Sequence, residues 1–393
     1  MTILFKVEHQ NIGRSVLKKR QIKNPNLTSR NNIVVAFVTN KNIFRMRGCC
    51  MSKKILALEK NTWIQAYHIR NFELGVLQNK TPWILSKHIN CYYDPRAMGI
   101  FNHCMPEKRY FVKSKALLVQ KYRFDKSFLS LDICSFIMCV KRLIDSGWYI
   151  MGYYDEYYIP ETASYGQRHF RHTMLIYGCD DESQLFYAMG YTRDRKYRSH
   201  CLTYNEFISS IGVDFDRENE PYIKRDIERI EFDAFRLNPE CDFKFDLRQV
   251  YTSILDYINC EDSGYRHQRG LKYGFDCERE FVNYIKAQKG KRLDERYSRF
   301  FMELKELMVR RLEYLVGEQD VSQEILPEYQ KICEQQKTVH LLFIKYNLTM
   351  DERIIDRLAD KMGSIIESEK NILPRITDEI YACLVKKHDE EYL

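Results

Sequence analysis

Residues 152–180 read GYYDEYYIPETASYGQRHFRHTMLIYGCD, and this stretch decides how we interpret the fold. The segments 148–158 and 173–177 are rich in aromatic and aliphatic residues, a composition that is typical of strands. A turn at 178–183 and another apolar segment at 184–189 complete a predicted hairpin. The middle of the chain is therefore predicted to form an antiparallel sheet.

Helices are predicted in the sequence before and after this sheet. Apolar residues recur with a period near 3.6 across 130–146, and Gly147 follows as a stop. Residues 203–211 predict a short helix. A second apolar stripe runs through 293–316 and ends at Gly317. These patterns place one helix before the predicted sheet and two after it along the chain.

The last predicted helix has its own start and stop signals. Thr349 and Glu352 have the spacing of a capping box, and Pro374 is expected to end the helix that follows. Several such amphipathic helices with short connections predict a bundle over 236–393.

Composition divides the chain of 393 residues into three regions. Residues 1–60 are interpreted as a basic leader with a net charge of +11, and a short apolar run at 33–38 is a predicted strand within it. Residues 61–235 are predicted to be an α+β domain, followed by the helical bundle over 236–393. Because the chain after residue 60 carries a net charge of only −3, nucleic acid is not expected as a partner.

Several classes of protein are disfavoured by what the sequence does not contain. There is no apolar run of about 18 residues, so a membrane span is not expected. The 13 cysteines have no regular spacing, which is typical of reduced thiols in a cytoplasmic protein. The sequence lacks the glycine-rich nucleotide motifs and the paired-histidine zinc motif. The spacing of His88, Cys91, His103 and Cys104 is not one that structural zinc sites favour, so no metal is expected.

Thiol chemistry is what the remaining polar residues suggest. A catalytic thiolate is stabilised by a helix N-terminus and a nearby imidazole. Cys91 precedes a segment, 92–101, that we interpret as a possible helix, although Pro95 fits the first turn poorly. His172 stands immediately before an apolar strand. The pair Cys91 and His172 is therefore the candidate for nucleophile and general base, while a half-buried thiol and a sheet-edge histidine are the structural alternatives.

The signature Gly152–Pro160, Tyr165 and His169–Asp180 resembles uncharacterised proteins encoded in bacterial nonribosomal peptide and related thiotemplated clusters. It is more distantly similar to the N-terminal domain of the butirosin acyltransferase and to bacteriocin-processing, papain-like cysteine peptidases. The resemblance implies a papain-like domain with an antiparallel sheet, in which His172 is the catalytic imidazole. It also implies a substrate carried as a thioester on the phosphopantetheine arm of a carrier protein, with no cofactor of the chain's own.

The sequence departs from the peptidase pattern at two positions. The aspartate expected to orient the imidazole would fall near 188–190, where there is no carboxylate, and Asp155 and Asp194 are the nearest substitutes. The oxyanion donor expected before the nucleophile would fall near Leu85. Ser86, His88 and Asn90 are the nearest side chains that could donate in its place.

The aromatic residues of the signature suggest a pocket. Tyr153, Tyr157, Tyr158 and His169 combine an apolar body with a polar tip, as in small-molecule sites. The simpler alternative is a strand that buries one set of rings and exposes the other.

Two functions from different classes follow from these residues. The first is cysteine-dependent acyl transfer, in which Cys91 takes the acyl group from a carrier-protein thioester and passes it to a small amine or peptide, with assistance from His172. The second is a catalytically inactive papain-like module that binds a carrier protein or a peptide intermediate. A cysteine peptidase ranks below both, because cleavage of an unactivated amide asks more of an incomplete triad.

Overall fold

A computed structural model describes residues 53–77, 80–96, 99–104, 119–124, 133–194, 196–211, 232–237, 243–263 and 270–391. All of these belong to one compact unit, residues 51–393. The strand predicted at 33–38 lies outside the described residues, as does most of the predicted basic leader.

The larger sheet has seven antiparallel strands among the described residues, in the order β4–β9–β5–β6–β7–β8, with β1 paired to β6. Its strands are β1 (Lys54–Ile55), β4 (Val119–Phe124), β5 (Tyr149–Asp155), β6 (Arg171–Asp180), β7 (Leu185–Tyr191), β8 (Tyr197–Thr203) and β9 (Phe232–Leu237). The hairpin predicted from the signature is confirmed as β6 and β7, which pair from Leu175 and Met189 to Asp180 and Leu185. The domain boundary predicted at 235/236 falls inside β9, which lies between β4 and β5.

The smaller sheet has the order β10–β2–β3, with β2 (Cys91–Asp94), β3 (Ile100–His103) and β10 (Lys272–Tyr273). The helix predicted at 92–101 is wrong, because this segment is a hairpin. Pro95 cannot continue either a helix or a strand ladder, and Gly99 adopts a φ of +73° that suits a turn. The aromatic residues between Cys91 and Phe101 therefore pair across strands.

The described helices are α1 (His68–Leu77), α2 (Thr81–Leu85), α3 (Ile133–Asp145), α4 (Tyr204–Ile211), α5 (Leu247–Ile258), α6 (Gly274–Ala287), α7 (Glu295–Gly317), α8 (Ile325–Thr349) and α9 (Arg353–Glu391). The prediction for 130–146 is confirmed over the described part as α3, and Gly147 follows it with a φ of +83°. Helix α4 begins with a reciprocal cap, in which the Thr203 hydroxyl accepts from the Glu206 amide and the Glu206 carboxylate accepts from the Thr203 amide.

The C-terminal region is a helical bundle, as predicted, and its core also takes in side chains of β2 and β3. The capping box at Thr349 is wrong, because α8 continues to this residue and Asp351 caps the next helix by accepting from the Arg353 amide at 3.1 Å. Helix α9 also continues through Pro374. A proline inside a helix costs about 3 kcal/mol. Burial of Ile372, Ile376 and others on both sides outweighs this cost.

The polypeptide thus has a mixed α/β architecture with antiparallel sheets and a helical C-terminal region. Among the residues that the structure describes, no helix combines the length and the apolar character that a bilayer crossing requires.

Candidate functional site

Asp155, at the end of β5, organises the long connection from β5 to β6. Its carboxylate is completely buried and accepts hydrogen bonds from the backbone amides of Tyr157 (3.1 Å) and Phe170 (3.0 Å). The backbone amide of Glu156 donates to the Phe170 carbonyl oxygen at 2.9 Å. These bonds join the first and last residues of the connection, so the intervening loop projects from a fixed base.

His169 is held by the same aspartate. Its Nδ1 lies 2.6 Å from Asp155 Oδ2, and its ring stacks on Tyr157 with a centroid distance of 4.3 Å. The His169 side chain is nevertheless 48% exposed. An imidazole fixed through Nδ1 presents Nε2 as its second polar atom.

His172 has a different carboxylate, Glu156. His172 Nδ1 lies 2.8 Å from Glu156 Oε1, and the imidazole stacks on Tyr191 with an interplanar angle of 7°. Glu156 is buried, whereas the His172 side chain is 23% exposed. Sequence reasoning chose Asp155 or Asp194 for this role. The structure instead bonds Asp155 to His169 and places Asp194 beside Thr192 and Arg198.

We call the group Asp155, Glu156, Tyr157, His169 and His172 the imidazole site. The signal that sequence reasoning missed is the consecutive pair of acids at the end of a strand. Asp155 is the last residue of β5 and Glu156 is the first residue of a short 3₁₀ helix, Glu156–Tyr158, and each acid bonds a different histidine. The sequence does not show which acid meets which histidine.

The predicted aromatic pocket residues lie around this site to different extents. Tyr157 and Tyr158 contact each other at 5.1 Å between ring centroids, and Tyr158 also lies 5.9 Å from His169. Tyr153 lies on β5, and its side chain is exposed. Both Tyr157 and Tyr158 are therefore next to an imidazole.

Arginines and exposed rings extend the site along the β5–β6 connection. The guanidinium of Arg168 lies over the exposed Phe170 ring at 5.2 Å, and that of Arg193 lies over the exposed Tyr165 ring at 5.6 Å. Arg193 also donates to the carbonyl oxygen of Pro160. This surface therefore carries two guanidinium groups, each of which lies over an aromatic ring.

Cys91 belongs to a different part of the molecule. It is the first residue of β2 in the smaller sheet, it has no exposed surface, and it packs in the core of the helical bundle. Its thiol is within hydrogen-bonding reach of Cys277 on α6. Burial, with a further contribution from Cys91, raises the pKa of the Cys277 thiol well above its usual value. Within the described part of the chain, Cys91 contacts Asn90 and Cys277, whereas His172 contacts Glu156 and Tyr191.

The histidine beside Cys91 is His103. The two residues are opposite each other in the β2–β3 register, so their side chains share one face. His103 is fully buried, with its ring 4.6 Å from that of Phe300 and 5.3 Å from that of His88. Cys91 and His103 are thus cross-strand neighbours, but both are buried in the core.

The predicted oxyanion donors have backbone partners. The Asn90 side-chain amide donates to the Glu261 carbonyl oxygen at 2.7 Å, while Asn90 Oδ1 accepts from the Cys91 amide. The Ser86 hydroxyl donates to the Trp83 carbonyl oxygen at 2.7 Å. Both side chains therefore stabilise the segment before β2.

No group of three or more histidine, cysteine, aspartate or glutamate side chains is placed to hold a metal ion within the described ranges. His88 and His103 lie side by side, and Cys104 donates its backbone amide to the Asn90 carbonyl oxygen. Burial, and then the charge of Asp262, raises the pKa of the Cys104 thiol well above its usual value.

Comparison with known protein families finds no family model that matches the chain, and comparison with curated proteins finds no matching relative.

Proposed function

We propose that the chain is a non-covalent binding module, which holds a peptide or acyl intermediate tethered to a carrier protein at the imidazole site. The observation that carries the proposal is the separation of an exposed recognition surface from a buried thiol. His169 and His172 reach solvent, whereas Cys91 is enclosed in the bundle core. A nucleophile must reach its substrate, and the fold presents imidazoles and aromatic rings instead.

The chemistry of the site suits a phosphopantetheine arm, the ligand that the sequence resemblance implies. Arg168 and Arg193 supply guanidinium groups, which bind phosphate well. The imidazoles supply polar atoms in fixed positions for amide or thioester groups, and the tyrosines supply apolar faces. Because Asp155 and Glu156 are buried and bonded to the histidines, they orient the imidazoles rather than contact a ligand.

The direct test is a binding titration, measured by calorimetry, with two ligands. One is an acyl-phosphopantetheine thioester and the other is the corresponding loaded carrier protein. We expect saturable binding that His172→Ala and Arg168→Ala each weaken by about tenfold, since a hydrogen bond to a charged group contributes about 1.5–3 kcal/mol. Arg357→Ala is the control, because Arg357 is exposed on α9, outside the imidazole site.

Cys91→Ala separates this proposal from covalent catalysis. We expect this variant to bind as the parent does, and the intact mass of the parent to stay unchanged after incubation with the thioester. Binding that is insensitive to both His172→Ala and Arg168→Ala would show that the imidazole site is not the contact surface.

Cysteine-dependent acyl transfer is the second candidate, and one observation favours it. The pairing of His172 with Glu156 supplies the carboxylate-oriented imidazole that a general base needs. An acyl adduct on Cys91, found by intact mass and abolished in Cys91→Ala but not in Cys104→Ala, would establish this function in place of the first.

A further inference from the structure

A small cavity lies inside the helical bundle, between α5, α7, α8 and α9 and beneath Ile89. Its volume is about 20 Å³, and a cavity needs roughly 10–15 Å³ in this measure to hold one water molecule. Its polar lining comes from Tyr257, Lys305, Arg311, Tyr329 and Glu369. All five side chains are buried.

Lys305 has its full set of partners. Its ammonium donates to Glu278 Oε1 at 2.7 Å, to Glu369 Oε2 at 2.5 Å and to the Tyr257 hydroxyl at 3.1 Å. An ammonium has three N–H groups, so these three bonds use them all. Lys305 therefore has nothing left to offer a ligand in the cavity.

Arg311 is bonded less completely. Its Nε donates to the Leu85 carbonyl oxygen at 2.5 Å and its Nη2 to the Lys87 carbonyl oxygen at 2.8 Å, while Nη1 has only the Met308 sulfur at 3.1 Å. A guanidinium has five N–H groups, and sulfur is a weak acceptor. Within the described part of the chain, no carboxylate lies within ion-pair distance of Arg311. Burial lowers the pKa of Arg311 below its usual value.

The two carboxylates near the cavity, those of Glu278 and Glu369, both form ion pairs with Lys305. Burial, despite the attraction of Lys305, raises the pKa of Glu278 to about 7. Because Glu278 and Glu369 both bond the ammonium of Lys305, they compensate the charge of Arg311 incompletely. A buried cation without compensation destabilises the folded state.

We propose that the cavity is a binding site for a small monovalent anion of the halide class, held by the guanidinium of Arg311. A monatomic halide is not much larger than water and fits this volume, whereas tetrahedral oxyanions and organic anions exceed it. The anion accepts hydrogen bonds from the Arg311 N–H groups that do not donate to the carbonyl oxygens of Leu85 and Lys87. Since those two carbonyl groups belong to the segment before Cys91, the bound anion also stabilises that segment.

Thermal unfolding of the full chain in sodium chloride or sodium gluconate, at equal ionic strength and pH 6.5, tests the proposal. Gluconate is too large for the cavity. We expect chloride to raise Tm by a few degrees along a saturating curve, as ligand binding to the folded state requires. Arg311→Met keeps the length of the side chain and removes its charge, so the chloride effect should vanish. Arg310→Met, on the exposed neighbour that packs over Trp63, should keep it.

Chlorine-35 line broadening of the unmodified protein provides a second measurement that needs no variant. We expect broadening that bromide displaces. Equal Tm values in chloride and gluconate, together with no displaceable broadening, would mean that the cavity holds water only and would overturn the proposal. A chloride effect that persists in Arg311→Met would overturn it as well, because the anion would then bind elsewhere.

Discussion

The carboxylate that pairs with His172 belongs to Glu156, whose Oε1 lies 2.8 Å from His172 Nδ1. The neighbouring acid, Asp155, is the last residue of β5 and bonds His169. Two consecutive acids thus fix two histidines that are three residues apart. The arrangement gives both imidazoles a defined orientation at the surface.

Glu156→Gln should weaken ligand binding at the imidazole site by about tenfold, because the amide can accept from His172 but carries no charge to stabilise its ring. Long-range proton–nitrogen spectra of the histidines should show a changed nitrogen chemical shift at His172 Nδ1. Glu161→Gln is the control, since Glu161 is exposed on the same loop. Unchanged spectra and affinity in Glu156→Gln would contradict the role that we assign to Glu156.

Thiol reactivity should follow burial. Cys201 is exposed, whereas Cys91 and Cys277 are completely buried. We expect a maleimide to label the two buried thiols roughly 10²-fold more slowly than Cys201, because their reaction requires local opening of the bundle core.

Peptide mapping after timed labelling measures these rates. Denaturation should remove the difference between the three thiols. Rapid labelling of Cys91 in the native protein would instead support the acyl-transfer candidate, since it would show that the thiol is accessible.

Lys305→Met should destabilise the bundle by about 3–5 kcal/mol, because it leaves the buried carboxylates of Glu278 and Glu369 without their cation. Lys337→Met is the matched control on an exposed pair and should change stability by less than about 1 kcal/mol. Denaturant unfolding measures both. A triple variant that adds Glu278→Gln and Glu369→Gln to Lys305→Met should recover part of the loss, and a triple variant less stable than Lys305→Met would contradict the explanation.

Glu278 should make stability depend on pH. Glu278 lies on α6. Four ionisable residues of other helices surround it, namely Lys305 on α7, Glu369 on α9, Tyr257 on α5 and Tyr329 on α8. Burial raises its pKa from 4.5 to about 7, so the folded state binds this proton more tightly than the unfolded state. The resulting stabilisation is complete below pH 4.5 and is lost as pH rises through 7.

Unfolding free energies of the parent and of Glu278→Gln, measured from pH 5 to 8, isolate this contribution. The parent should lose stability relative to the variant as pH rises, since glutamine does not ionise. Parallel pH profiles for the two proteins would show that Glu278 does not titrate in this range.

The helices of the bundle could be predicted because their apolar residues keep one face. Phe301, Leu304, Met308 and Leu312 follow a helical period and are all buried on α7. The stop at Gly147 was equally readable, because a glycine with positive φ ends a helix without strain. Local pattern and packing agree at these positions.

The candidate site was less predictable because it depends on contacts between distant residues. His172 and the strand after it were readable, but the choice of Glu156 over Asp155 depends on where β5 ends, at Asp155, and the following 3₁₀ turn begins, at Glu156. Cys91 was misplaced for a related reason. The β2–β3 hairpin and the helices that cover it put Cys91 opposite His103, and no local pattern records that pairing.

Strand β9 inserts between β4 and β5 although it follows β8 in the chain. During translation, the hairpins β5–β6, β6–β7 and β7–β8 can pair as they leave the ribosome, but β4 has no partner in this sheet until residues 232–237 emerge. The nascent polypeptide therefore carries two unpaired strand edges for the time needed to synthesise this interval, and such edges invite intermolecular pairing. Shortened versions of the protein that stop before residue 232 should be prone to aggregation for the same reason.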